Sequence, residues 1–298
     1  MSAHRSGCTG CEQRERFARR ELLGLMSLGL AVAAAACTGR ARAIKGVLRG
    51  QSKGPRTPSV PVAQPATLVP ATDSGPPLSP EPIPAPHPGQ TKVVSSGPAG
   101  TQQVALTIDD GYCAQCVAKY VQFAQSSGIH ITFNPNGVFG DLWKPYLDIL
   151  YPMIANKQVQ FGNHTWNHAN LVGLSTSAIA DEITRNEDWI EETFGVTARP
   201  WFRPPYGYYN ARVLDVAGSL GYTNILMWNG SFGDSTVISP QELLNLANQY
   251  LRPGTIMLGH LNHPTILSLF DQIEAIIAER DLEPVTLDEM FGTSRMAG

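Results

Sequence analysis

The stretch "VALTIDDGYCAQCVAKYVQFAQSS", Val104–Ser127, reads as one strand, one polar loop and one helix. Val104–Ile108 is a short apolar run with the length and β-branched content of a buried strand, and Ala114–Ser127 is a longer amphipathic run with helical spacing. Between them lie two adjacent carboxylates, Asp109 and Asp110, and just beyond is the pair Cys113 and Cys116. Strand followed by helix is the repeating unit of parallel α/β folds, and in such folds the loop after each strand opens onto the functional face.

The alternation continues outward from this unit. Strands are expected near Val104–Ile108, His130–Phe133, Val159–Gly162, Pro200–Arg203, Thr223–Met227, Thr255–Leu258 and Pro284–Thr286. Helices are expected near Ala114–Ser127, Trp143–Ala155, Ser177–Thr193, Ala211–Leu220, Pro240–Tyr250 and Pro264–Arg280. Together they predict one compact domain with a largely parallel sheet, either closed into a barrel or open and doubly wound.

Polar clusters fall where the strands end. Asp109-Asp110 follows the first strand, "NHTWNH" (Asn163–His168) the third, "RPPYG" (Arg203–Gly207) the fourth, "WNGSFGD" (Trp228–Asp234) the fifth and "GHLNH" (Gly259–His263) the sixth. Any one of them is an ordinary turn or a pair of surface histidines. Their shared position at strand ends makes them a site.

His164 and His168 are four apart, so one helical turn would put both rings on the same side, and a carboxylate from the first loop would complete a metal site with an open position. Two imidazoles and one carboxylate leave a divalent ion a net positive charge, enough to bind water and polarise a carbonyl. Side chains of adjacent residues in an extended chain point opposite ways, so one Asp can bind the ion while its neighbour serves as base. Arg203 is the guanidinium expected to keep that base ionised, His260 a candidate acid, and Asp234 its orienting partner.

The ends of the chain differ in charge. Residues 101–298 hold 10 Lys and Arg against 20 Asp and Glu, while residues 1–49 hold 9 basic and 3 acidic residues. An acidic domain repels phosphate backbones, which excludes nucleic acid and favours a neutral substrate. Near the N-terminus a basic region precedes an apolar run, Leu22–Ala36, and then Cys37. Fifteen helical residues rise about 22 Å, short of the roughly 30 Å hydrocarbon core, so the run reads as an export segment. Arg19-Arg20 resembles a twin-arginine signal, and Cys37 follows small residues as at a lipoprotein cleavage site, though Ala34 stands where Leu is usual. Thirteen prolines lie between Pro55 and Pro98, a composition that cannot bury enough surface to fold and reads as an extended tether.

The ordered motifs "TIDDG", "HTWNH", "RPPYG", "NGSFGD" and "LGH" resemble those of the polysaccharide deacetylases, carbohydrate esterase family 4, over about Gln103 to Gly292. That resemblance implies an α/β fold, a distorted (β/α)7 barrel, with a divalent metal, usually zinc. It implies hydrolytic removal of acetyl groups from an N-acetylated polysaccharide such as peptidoglycan or a chitin-like polymer. O-acetyl xylan esterase activity, or a catalytically weakened carbohydrate-binding role, is the alternative. By the same resemblance Asp110, His164 and His168 are the metal ligands, Asp109 the catalytic base held by Arg203, and the Tyr206 backbone N–H the oxyanion donor. His260 is then the catalytic acid with Asp234 behind it, and Leu258 lies beside the acetyl methyl. Two positions depart from the family pattern: Ile108 replaces a Phe, and Ser235 stands where a Trp often follows the fourth-motif Asp, leaving Trp228 or Phe232 to fill that pocket.

The expected organisation is an export segment over 1–37, a Pro-rich linker over 38–100 and the deacetylase domain over 101–298. The protein is expected to be a monomer outside the cell or in its envelope, with Cys37 a candidate lipid anchor. Cys113 and Cys116, at positions that share a helix face, suit a disulfide that would add little stability; free thiols or a redox or metal role are the alternatives. His130 is expected to be structural, and His263 to lie near the site without a role in it.

Overall fold

The computed structural model describes residues 82–292, so the export segment, Cys37 and the linker as far as residue 81 lie outside the described residues. The elements in chain order are β1 (Lys92–Val94), β2 (Gln103–Asp110), α1 (Ala114–Ser127), β3 (Ile131–Pro135), α2 (Leu147–Ala155), β4 (Val159–Phe161), α3 (Thr176–Phe194) and β5 (Trp201–Phe202). They continue with α4 (Ala211–Ser219), β6 (Asn224–Leu226), β7 (Gly230–Ser231), α5 (Pro240–Tyr250), β8 (Ile256–His260), α6 (Phe270–Glu279), β9 (Glu283–Pro284) and α7 (Leu287–Phe291).

Every strand pair is parallel. One sheet has the order β4-β3-β2-β8-β7 with β9 on β2, and the other has the order β1-β6-β5. Two features link them. Just past β4, Asn163 bridges to Phe202 of β5. β6 and β7 are two halves of one run, the first pairing with β5 and the second with β8. Neighbouring strands therefore follow one another in a circuit, β2-β3-β4-β5-β6/β7-β8, which is the distorted α/β barrel that the family resemblance implies. The distortion is at the β6/β7 bend and in the short last strand, which pairs only with Gln103 and Val104.

Strand periodicity sorts β2 into two faces. Val104, Leu106 and Ile108 enter the larger core with Val117, Tyr120 and Val121 of α1. Ala105 enters a smaller cluster with Trp201, Leu226 and Ile256, and Thr107 and Asp109 lie on that same face. The carboxylate thus reaches the barrel interior because it ends an alternating strand.

Local signals fix the helix ends. α5 starts on Ser239, whose hydroxyl accepts from Glu242 N–H, with Pro240 at the first turn. α1 ends on Gly128 at φ 73°, a left-handed position that glycine adopts without a Cβ clash. The helix expected over Pro264–Arg280 is instead a 3-10 turn, Pro264–Ser268, and then α6. Ser268 Oγ donates to Thr265 O there, a side-chain bond that competes with the helical ladder.

The linker boundary moves. Composition predicts a linker as far as Gly100, but β1 pairs with β6 and Val94 is buried. Gly89 N–H already donates to Gly218 O at 3.0 Å. The Pro- and Gly-rich flanks hide a short strand, Lys92–Val94, whose two β-branched valines pair with β6.

Candidate active site and metal centre

Asp109 is buried at the end of β2, and its two oxygens have different surroundings. Oδ1 accepts from Arg203 Nη1 at 2.6 Å and from Asn134 Nδ2 at 2.9 Å. Oδ2 faces His164, with Nε2 at 3.7 Å. Arg203 is itself almost fully buried; its Nη2 donates to Thr107 Oγ1 at 2.8 Å, and that hydroxyl donates to Met257 O at 2.8 Å. Asn134 reaches Asp109 because the two are register partners on β3 and β2. Gly162 gives it room: a Cβ there would sit 2.1 Å from Asn134 Oδ1.

Asp110 breaks the strand pattern with φ 70°. Its Oδ1 lies 3.4 Å from His164 Nε2 and 3.5 Å from His168 Nε2 and is buried without a hydrogen bond. The two histidines converge, but not by a helical turn. Thr165 and His168 take φ 70° and 60°, so a left-handed turn brings the rings to 4.9 Å. The expected helical geometry is corrected here, and the same convergence is reached by another backbone. Asn136 Nδ2 holds the turn through His164 O at 2.6 Å and Thr165 O at 3.0 Å, while Asn163 Oδ1 accepts from Thr165 N–H at 2.9 Å.

His164 Nδ1 lies 2.7 Å from Arg203 O. A carbonyl only accepts, so Nδ1 carries the proton and a neutral ring turns the Nε2 lone pair to Asp110. A tetrahedral ion with bonds of about 2.0–2.2 Å sets its ligand atoms about 3.3–3.6 Å apart. The distances from Asp110 Oδ1 to the two nitrogens meet that requirement, and one ligand atom from each of the three residues lies within 4.8 Å of the others. Among the described residues these three form the group of His, Cys, Asp and Glu side chains able to hold an ion.

The electrostatics agree. Burial raises the Asp110 pKa, but the His164 ring facing it, then the charge of His168 and His260, outweigh it and hold the carboxyl well below the usual range. Burial pushes His164 down, yet Asp109 and Asp110 more than compensate and hold it above the ordinary imidazole value. Burial, then the charge on His164, keep His168 below it. Two carboxylates facing two imidazoles make a buried pocket suited to a cation.

Across the pocket, His260 Nδ1 donates to Asp234 Oδ1 at 2.9 Å, and the His260 backbone N–H donates to Asp234 Oδ2 at 3.1 Å. Burial lowers the His260 pKa, but the hydrogen bond and charge of Asp234, then Asp109 and Asp110, raise it above the ordinary value overall. Tyr206 sits at φ 59° in the turn after β5 with its ring 4.5 Å from that of His168. Trp228 lies against the Arg203 guanidinium, 5.7 Å from the ring centroid. Phe232 is fully buried, packed toward Gly259 and Ile108, and belongs to the core, whereas Ser235 is exposed.

Ion pairs therefore join Arg203, Asp109, His164, Asp110 and His168 in one group and His260 and Asp234 in another, and the β2–β8 register sets His260 beside Asp109. Asn134, Thr107, Asn136 and Asn262 are site residues that the sequence reading misses. Their signal is polarity inside otherwise apolar strands or beside a motif, as in "ITFNPN" (Ile131–Asn136). Cys113 and Cys116 form a disulfide, with Cys113 as the cap of α1. His130 pairs with Glu289 at 2.8 Å, away from the pocket, as expected of a structural histidine, and His263 Nε2 lies 3.4 Å from the exposed Tyr112 hydroxyl.

A family model described as polysaccharide deacetylase matches residues 96–225. A chitin deacetylase of Pestalotiopsis sp is 32% identical over 213 residues, 66% of this chain and 69% of that protein. A peptidoglycan-N-acetylglucosamine deacetylase of Bacillus cereus is 27% identical over 208 residues, 67% of this chain and 72% of that protein. Among solved structures, a peptidoglycan N-acetylglucosamine deacetylase superposes with a TM-score of 0.60 at 26% identity, covering 68% of this chain and 94% of that one.

Proposed function

Since the chain belongs to the polysaccharide deacetylase family, we propose that it hydrolyses acetyl groups from an N-acetylated polysaccharide, of the chitin or peptidoglycan type, outside the cell. The observation that carries this reading is the unequal treatment of two adjacent carboxylates. Asp109 is clamped by Arg203, while Asp110 presents a bare oxygen to two imidazole nitrogens.

Asp110, His164 and His168 would hold the divalent ion, with zinc first by donor set, and when bound it supplies a Lewis acid for the acetyl carbonyl. Arg203 and Asn134 occupy Asp109 Oδ1, so Oδ2 is free to take a proton from the attacking water. The water oxygen bonds to the acetyl carbon as that proton moves to Asp109. Tyr206 N–H donates to the oxyanion. His260, kept protonated by Asp234, gives its Nε2 proton to the amine as the C–N bond breaks, releasing acetate and a free amino sugar.

Residues 1–37 would direct export, and the proline-rich segment that follows would tether the domain at the envelope. The test is acetate release from N-acetylglucosamine oligomers by the purified protein, with acetylated xylan in parallel. Release from the first substrate that stops on chelation and returns with zinc supports the reading. Sugar binding without release, metal present, would overturn it.

A further inference from the structure

Asp110 has a second oxygen, and the site's chemistry depends on where it goes. Asn262 Nδ2 donates to Asp110 Oδ2 at 2.5 Å. An ionised carboxylate only accepts, so the amide must present its nitrogen, and the orientation of Asn262 follows from chemistry. The cost is visible on the other side of the same amide: Asn262 Oδ1 is buried without a partner. Turning the amide over to relieve it would set oxygen against oxygen.

The backbone holds Asn262 in place. The β2·β8 ladder continues past both strands, with Leu261 N–H donating to Asp109 O at 2.8 Å and Cys113 N–H donating to Leu261 O at 3.1 Å. Cys113 is in turn bonded to Cys116 at the start of α1. The residue before Asn262 is thus tied at both its N–H and its C=O to the loop that carries the two carboxylates.

We infer that Asn262 is a positioning residue for metal binding: it holds Asp110 Oδ2 so that Oδ1 alone faces His164 and His168. The inference rests on the ion-binding reading of those three residues. A carboxylate free at both oxygens can rotate and offer either or both, whereas one held at Oδ2 is preorganised to offer one, and outer partners of this kind set metal affinity. The same amide joins the ligand Asp110 to the loop that follows His260.

Cobalt(II) titration of the chelator-stripped protein tests this by calorimetry and by visible absorption, which reports the ligand set without any turnover. Asn262→Ala removes the side chain, and Asn262→Leu keeps its bulk without the donor. Both are expected to bind cobalt about 10–100-fold more weakly, with an altered visible spectrum, while the metal-free proteins melt like the parent. Unchanged affinity and spectrum in both variants, beside a parent that binds, overturn this inference alone. A parent that takes up no ion overturns the metal reading and the inference with it. Loss of the metal-free fold in both variants assigns Asn262 to the fold and overturns it too.

Discussion

Arg203 Nη1 and Asp109 Oδ1 meet at 2.6 Å with both side chains buried, and the same guanidinium reaches Thr107 through Nη2. Removing one partner of such a pair leaves a buried charge uncompensated, at a cost of about 3–5 kcal/mol. Arg203→Met should lose stability of that order in a denaturant melt and lose acetate release. Lys carries one ammonium in place of a planar fork and cannot reproduce the two-pronged contact, so Arg203→Lys should recover stability only in part. An Arg203→Met protein as stable as the parent would remove this pair from the account.

The strand at Lys92–Val94 gives a second test. Val94 packs with Trp201 and Leu226, and Met227 N–H donates to Val94 O at 2.7 Å. A chain begun at residue 101 lacks that strand, and each kcal/mol lost lowers the melting temperature by about 2–4 °C at this size. It should melt at least that much lower than a chain begun at residue 82. Equal melting temperatures would return residues 82–100 to the linker.

For His260 the sign of the pH dependence follows from its raised pKa. The folded value lies above the unfolded one of about 6.5, so its stabilising contribution is fully present below about pH 6.5 and is lost as pH rises through the folded value. In metal-free protein, the deficit of His260→Gln relative to the parent should be larger at about pH 5.5 than at about pH 9 in urea melts. Asp234→Asn removes the first stabilising partner of the imidazolium and should shift the alkaline limb of kcat/KM to lower pH. A deficit equal at both pH values would contradict the assigned environment.

The disulfide is expected to matter locally. Its loop spans a sequence separation of 3, and closing so short a loop removes only about 2 kcal/mol or less of unfolded-state freedom. Cys113→Ser with Cys116→Ser should therefore stay folded in a thermal melt, and destabilisation well beyond that would assign the bridge a larger structural role.

Much of this is legible in the sequence because local rules and tertiary structure agree. α1 ends at Gly128 and α5 begins at Ser239-Pro240, residues that mark such ends, and the polar clusters fall at the strand ends. Elsewhere tertiary structure decides. The spacing of His164 and His168 indicates a shared side but not its cause, since left-handed residues at Thr165 and His168 are not written in residue type. β1 is hidden by composition. Asn134 and Asn262 act through register and loop position, which only the assembled sheet defines.

The division of labour between the adjacent carboxylates is the central claim, and one paired measurement tests it: metal content and acetate release in Asp109→Asn and Asp110→Asn. The first should bind one ion like the parent and release acetate about 10²–10⁴-fold more slowly, because it loses the proton acceptor; it should also melt lower, because Arg203 is left without its buried partner. The second should lose the ion. Parent-like turnover by Asp109→Asn, or full metal loading by Asp110→Asn, would contradict the account.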